Sequence, residues 1–340
     1  MRRWHRSLVG LLGLCLAACG GDGSSKDGQS APADANRQSS VETEDHAAEG
    51  GVVWTDLSFD EVLKKAADEH KLILVDVWSP SCHQCEVMND EVWNTPDGVH
   101  LVGDAIPIKI HSDAQESYSF RYRYPITGLP AVLLLDSDGT EINRVVGYSS
   151  KRAWLPEASA MMTGVDPIPD LETQVAENPD DLPLRVTLLD RYLERAREED
   201  AHRLMEEVVA KDRSSAHGQA EKAVRSMARY YAFFRMDASG ADGYYRTIVE
   251  QFPQASGLTG ALKSTLDQAR ATGQVAAWTE WVCGLARKRE SDGHYNSTIA
   301  MFAYRNKLTA PCLAEAARRA ARSGDGAAGI DTVAVHLEGK

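Results

Sequence analysis

"VDVWSPSCHQCEVM", residues 75–88, sets two thiols, Cys82 and Cys85, two residues apart behind an apolar run that holds one carboxylate, Asp76. Such a pair is half of a metal site, a structural disulfide or a redox couple. A structural zinc site needs four ligands, and a lone C-x-x-C supplies two. Neither Cys283 nor Cys312 has a second thiol two residues away. Attachment of haem needs His directly after the second cysteine, where this chain has Glu86. His83 and Met88 suit a soft copper(I) site, but nothing else in the chain adds to one. A redox pair fits better, and neither metal nor cofactor is expected. Cys82 should fall in the first turn of a helix, where unpaired N–H groups and the helix dipole stabilise a thiolate. Thiols so placed have pKa values of about 3.5–7.5. Cys85, one turn further in, is then positioned to attack the mixed disulfide that Cys82 forms.

Outward from this stretch, residues 52–164 alternate strand and helix. "GVVWTDL" predicts a short first strand, and "SFDEVLKKAADEH" a helix with Phe59, Val62, Leu63 and Ala66 on one face. "KLILVDVW" has the β-branched, near-continuous apolar character of a strand buried on both faces. Ser81-x-x-Gln84 fits a capping box for a helix through Val87, Met88, Val92 and Trp93 that stops near Pro96. "IPIKI" predicts a second central strand, and "AQESYSFRYR" a further helix. "PAVLLLDSDGTEINRVVGY" reads as two antiparallel strands joined at Asp-Gly; the oxygens of "DSDGTE" lack calcium-loop spacing. A helix around "AWLPEASAMM", with Pro156 in its first turn, closes the unit.

These residues resemble the thioredoxin family. "ILVDVWSPSCHQC" matches its active-site segment in the buried Asp, the Trp two residues on and the nucleophilic Cys six after the Asp. "TGLPAVLLLDSDGTEINRVVGY" resembles the later segment, whose cis-proline faces the two sulfurs. The nearest likeness is to periplasmic thioredoxin-like domains that receive electrons from membrane transporters. The resemblance implies an α/β thioredoxin fold, a central mixed sheet flanked by helices, over residues 51–164. It makes Cys82 the nucleophile, Cys85 the resolving thiol and Asp76 the carboxylate that takes a proton from Cys85. Lys109 would sit near Asp76 and tune it, Trp78 would pack beneath the site, and Pro130 would be cis, leaving an open backbone edge for an extended substrate. Two departures stand out. Ser81 replaces a second Trp, and His83-Gln84 replaces Gly-Pro between the thiols; a protonated His83 would stabilise the thiolate further.

Beyond the linker "GVDPIPD", the texture becomes helical, with breaks at "NPDD" (178), "KDRSS" (211), "QFPQAS" (251) and "RESDG" (289). This period matches one helical hairpin per unit, with sets such as Val186, Leu189, Tyr192 and Leu193 sharing a face. Residues 165–340 therefore predict an all-α, tetratricopeptide-like domain of helical hairpins, suited to docking a protein partner. Cys283 and Cys312 are either a disulfide between neighbouring hairpins or two buried apolar residues.

At the other end, a basic start and short apolar run make residues 1–18 a secretory signal. Leu16-Ala17-Ala18-Cys19 resembles the lipobox of bacterial lipoproteins, so Cys19 is the expected lipidation site; the alternative is an ordinary cut after Ala18. Gly20, rather than Asp, after that cysteine favours the outer membrane. Residues 19–50 are a tether too poor in apolar groups to fold, with a reach of roughly 30 Å. Removing residues 1–18 takes away three Arg and no acid, moving the formal charge from −13 to −16. So acidic a chain is a poor partner for nucleic acid or anionic lipid. The sequence thus predicts an envelope lipoprotein that faces the periplasm and touches the membrane only through its anchor. Its expected activity is thiol–disulfide exchange on protein disulfides, with a membrane electron donor recharging the dithiol. The alternatives are a non-catalytic scaffold or a copper(I) carrier.

Overall fold

A computed structural model of the protein describes residues 50–213, 216–324 and 329–339. The signal segment, Cys19 and the tether up to residue 49 lie outside them.

The first part runs, in chain order, α1 (Phe59–Glu69), β1 (Ile73–Trp78), α2 (His83–Met88), α3 (Pro96–Val102), β2 (Ile106–His111), α4 (Tyr118–Arg123), β3 (Ala131–Leu135), β4 (Glu141–Val146) and α5 (Lys151–Met161). The sheet order is β2-β1-β3-β4, with β1 parallel to β2 and the other pairs antiparallel. β1 is central and buried on both faces, as its β-branched run requires. Ile73, Val75 and Val77 meet Val62, Ala66, Phe120 and Tyr124 on one face. Leu74 meets Met88, Trp93, Leu101 and Trp154 on the other. Each such large apolar side chain taken from water contributes about 1.5–3 kcal/mol. The β3–β4 turn closes with Asp136 N–H on Thr140 O at 2.8 Å, and Gly139 at φ +80° supplies its left-handed residue.

Three local expectations are corrected. "GVVWTDL" is not a strand. Val52 N–H reaches Trp93 O and Thr55 N–H reaches Pro107 O, but Pro107 has no N–H to return a bond and Val53 is 72% exposed. The Ser81–Gln84 capping box does not form, because the Ser81 hydroxyl pairs with Ser79 and Cys82 caps α2. The helix that carries Cys85 passes at Met88 into a π-helical turn, Asn89–Trp93. It stops at Trp93, close to Pro96 as expected, and Pro96 then opens a separate helix, α3, where its missing N–H costs nothing. Gly98 is needed there, since a Cβ would lie 2.5 Å from Val92 O. Finally, Ser150 caps α5 so early that Pro156 is its sixth residue, beyond the first turn.

Within "GVDPIPD", Asp166 caps a helix that Pro167 opens. From there the chain is helical: α6 (Pro167–Glu177), α7 (Leu182–Glu194), α8 (Glu198–Lys211), α9 (Gln219–Phe233), α10 (Ala238–Gln251), α11 (Leu258–Ala271), α12 (Val275–Lys288), α13 (Gly293–Arg305), α14 (Pro311–Ser323) and α15 (Ile330–Leu337). The break at 178 precedes the hairpin α7–α8, and those at 211, 251 and 289 separate it and the consecutive hairpins α9–α10, α11–α12 and α13–α14, which share one apolar core. Cys283 of α12 and Cys312 of α14 are bonded, joining neighbouring hairpins. No described helix is long and apolar enough to cross a membrane.

A buried guanidinium joins the two parts. Arg144 on β4, 1% exposed, donates to Glu141, to Pro125 O at 2.5 Å and to Glu194 O, at the end of α7, at 2.6 Å. Arg195 adds a pair with Glu141 at 3.1 Å and a bond to Ile142 O at 3.0 Å. Arg191 reaches both Glu157 and Glu194. With Glu141 and two carbonyls satisfying it, Arg144 avoids the penalty of an unpaired buried charge.

Candidate functional site

Cys82 and Cys85 stand where β1 gives way to α2. Cys82 is the N-cap, its N–H bonded to Ser79 O at 3.0 Å and its Sγ accepting from Cys85 N–H at 3.1 Å. One helical turn of separation brings the Cα atoms to 5.3 Å, and the two sulfurs are bonded. Cys82 is half-buried and Cys85 buried. A half-buried sulfur at the rim and a buried one behind it can form and break this bond with only a small backbone adjustment.

Asp76 lies two residues after Leu74, so its side chain points to the same face of β1, beneath the helix that carries Cys85. It is 3% exposed. Burial raises its carboxyl from 3.8 to about 6, with the Lys109 charge acting against that rise. Its Oδ1 has no hydrogen-bond partner among the described residues; nor has Trp93 Nε1. The Trp93 N–H, beyond bonding distance, still favours the carboxylate.

Register brings Lys109 opposite Asp76 on the neighbouring strand. Its Nζ is 3.7 Å from Asp76 Oδ2 and donates to Asn89 Oδ1 at 2.7 Å. The ammonium also lies 5.0 Å from the Trp54 ring centroid and 5.8 Å from that of Trp78. Trp78 stacks on His111 at 5.3 Å. The π-helical turn matters here, since it carries both Asn89, which holds Lys109, and Trp93, which faces Asp76. His83 and Gln84 are exposed, and His83 Nδ1 lies 3.6 Å from Glu86. The Leu129–Pro130 peptide is cis.

Sequence reasoning missed a polar latch beside the thiols. Ser79 Oγ donates to Asp113 Oδ2 at 2.5 Å and pairs with Ser81 Oγ at 2.9 Å. Hydrogen bonds from Ser79 and Ser112 hold the Asp113 carboxyl below its usual range. The available signal was that parallel β1 and β2 end side by side, so Ser79 and Ser112-Asp113 must meet. Among the described residues no group of three or more His, Cys, Asp or Glu is arranged to hold a metal.

Comparison with known proteins follows this geometry. Residues 59–160 match the family model for a thioredoxin-like domain, and residues 163–229 that for a tetratricopeptide repeat. Among solved structures, a proposed disulphide-isomerase from Bacteroides thetaiotaomicron is 25% identical over 33% of this chain and 94% of its own, with TM-score 0.30. A DsbH oxidoreductase is 18% identical over 33% and 88%, TM-score 0.27. The oxidised DsbD C-terminal domain of Neisseria meningitidis is 19% identical over 30% and 91%, TM-score 0.26. With its central mixed sheet, bonded C-x-x-C and following helical hairpins, the chain joins a domain of the thioredoxin-like family to a tetratricopeptide repeat region.

Proposed function

We propose that the protein is a thiol–disulfide oxidoreductase that reduces protein disulfides in the bacterial cell envelope. The observation that carries this reading is the bonded Cys82–Cys85 pair at a helix mouth, seated above a buried carboxylate. In the dithiol form the Cys82 thiolate attacks one sulfur of a substrate disulfide. A Cys82–substrate bond forms, the substrate bond breaks, and one substrate thiolate leaves. Asp76 accepts the Cys85 proton. Cys85 then attacks Cys82, restoring the internal disulfide and releasing the second substrate thiolate. The bonded pair is the product state of that cycle, and a dithiol donor at the membrane returns it to the start.

Lys109 tunes Asp76 and Trp78 packs beneath the site, while His83 and Gln84 shape the approach to Cys82. Pro130, by family resemblance, backs the sulfurs. The lipobox-like Leu16-Ala17-Ala18-Cys19 supports a lipid-anchored protein facing the periplasm, on the outer rather than the inner membrane. Residues 51–164 carry the chemistry and residues 165–340 engage protein partners. Insulin reduction with dithiothreitol tests the activity. Wild type should accelerate precipitation and Cys82→Ser should match dithiothreitol alone; equal rates for the two proteins overturn the reading.

A further inference from the structure

A groove of about 1020 Å³ opens between the residues before Pro130 and the first helical hairpins. One wall is Thr127, Gly128 and Leu129, with Val146 and Gly147 of the β4 end beside them. None of Thr127, Gly128 or Leu129 makes a backbone hydrogen bond with another described residue, so this edge presents free donors and acceptors. The facing wall comes from the helical part. α7 supplies Leu193 and Glu194, and α9 supplies Arg229, Tyr230 and Phe233, spaced at i, i+1 and i+4 on one helix face. Met236 follows just beyond. Phe233 is 69% and Met236 80% exposed, unusual values for large apolar side chains set side by side.

Two further features define the ligand. Arg121 and Arg229 line the groove beside acids of its own, since Asp113 feels the Arg121 charge and Asp190 that of Arg229. Arg121 Nε is buried without a hydrogen bond. The three acids of the groove are engaged within the protein, Asp113 by Ser79 and Ser112, Glu194 by Arg191 and Asp190 by Ser226 with Arg229 nearby, so the charges balance and the apolar patch sets what binds. The groove is tied to the loop that carries the thiols, since Asp113 lines it and accepts from Ser79, whose carbonyl receives the Cys82 N–H. The two walls are held together by Arg144, which bonds both Pro125 O and Glu194 O, and by Thr127 Oγ1 on Glu194 O at 3.5 Å.

We infer that the helical part forms half of the substrate site, and that its occupant is an extended polypeptide segment beside the substrate's cysteine, bearing a large apolar residue. The backbone of that segment pairs with residues 127–129 as an added strand. Its apolar side chain packs on Phe233, Tyr230 and Met236. Aromatic, Met and Arg side chains are those enriched at the centres of protein-binding surfaces. This inference names the substrate class for the activity proposed above and rests on that reading.

Binding separates the two. The probe is a fluorescein-labelled Gly-Phe-Glu-Ser-Leu-Gly peptide, with Ser at the cysteine position, titrated by anisotropy into the full-length disulfide form. Phe233→Ser/Met236→Ser should weaken binding about tenfold. Replacing Phe by Ser in the peptide should weaken its binding to wild type about tenfold and leave its binding to the double variant unchanged. Val335→Ser, at an exposed position on α15, is the control and should bind as wild type. Equal affinity for wild type and the double variant overturns the inference, whatever the insulin assay shows. Loss of insulin reduction with peptide binding intact would instead overturn only the catalytic reading.

Discussion

Replacing Asp76 by Asn should stabilise the protein above neutral pH and leave it unchanged in acid. The carboxyl is buried and rises from 3.8 to about 6 in the fold. A carboxyl whose folded value exceeds its unfolded one holds its proton more tightly in the native state. Its favourable contribution is therefore complete below about pH 4 and is lost as pH rises through about 6. At about 1.4 kcal/mol per pH unit, the interval amounts to about 3 kcal/mol. Asn cannot ionise, so the variant escapes that loss. Urea unfolding of the full-length disulfide form, compared with wild type from about pH 4 to pH 8, isolates the effect because all other titrating groups are shared. The stability difference should grow from near zero to about 3 kcal/mol in favour of Asp76→Asn. A flat difference, or one that favours wild type at high pH, would refute a costly buried carboxylate and the proton-accepting role built on it.

Lys109→Met removes the charge that holds Asp76 down. The pH midpoint of the Cys85-dependent step should move up by about one to three units in stopped-flow measurements; an unchanged midpoint would show that Lys109 does not govern Asp76. Arg144→Met leaves Glu141 and two carbonyls short of a donor, so thermal unfolding should report a loss of about 3–5 kcal/mol. Protease cutting between residues 162 and 166 should rise with it, and unchanged protection would show that the clasp holds without Arg144. Cys283→Ala/Cys312→Ala opens a loop of sequence separation 29. Chain entropy then predicts a loss of about 3–4 kcal/mol in urea, and a loss near zero would place the tie outside the cooperative unit.

Much of the sheet was legible because its strands are β-branched runs bounded by turn residues. Leu133 and Val145 could be read as core from local pattern alone, and Asp138-Gly139 marks its own hairpin. The helical hairpins were legible from their breaks. What escaped has two physical causes. The π-helical turn at Asn89–Trp93 adds a residue to a helix without any composition that advertises it, and the short helix that Pro96 opens has no strong apolar period of its own. The clasp was invisible for another reason: Arg144, Glu194 and Arg195 look like solvated surface charges, and only the apposition of segments about 50 residues apart buries them. In the site, the apolar setting of Asp76 and the spacing of Cys82 and Cys85 stand in one short stretch. Asn89 and Asp113, by contrast, become neighbours of the site through strand register and helix phase, which no single segment encodes.

The Cys283–Cys312 bond bears on how the far end of the helical array comes apart. In a stack where hairpins rest mainly on their neighbours, unravelling starts at the terminus and proceeds unit by unit. Here the bond works as a buckle across the last two hairpins, so neither peels off alone and the smallest fragment that can open is a pair. A chemical setting reducing enough to undo the buckle would loosen that tail first. The hairpins nearest β4, moored by Arg144 and Arg195, would keep their hold on the thiol domain.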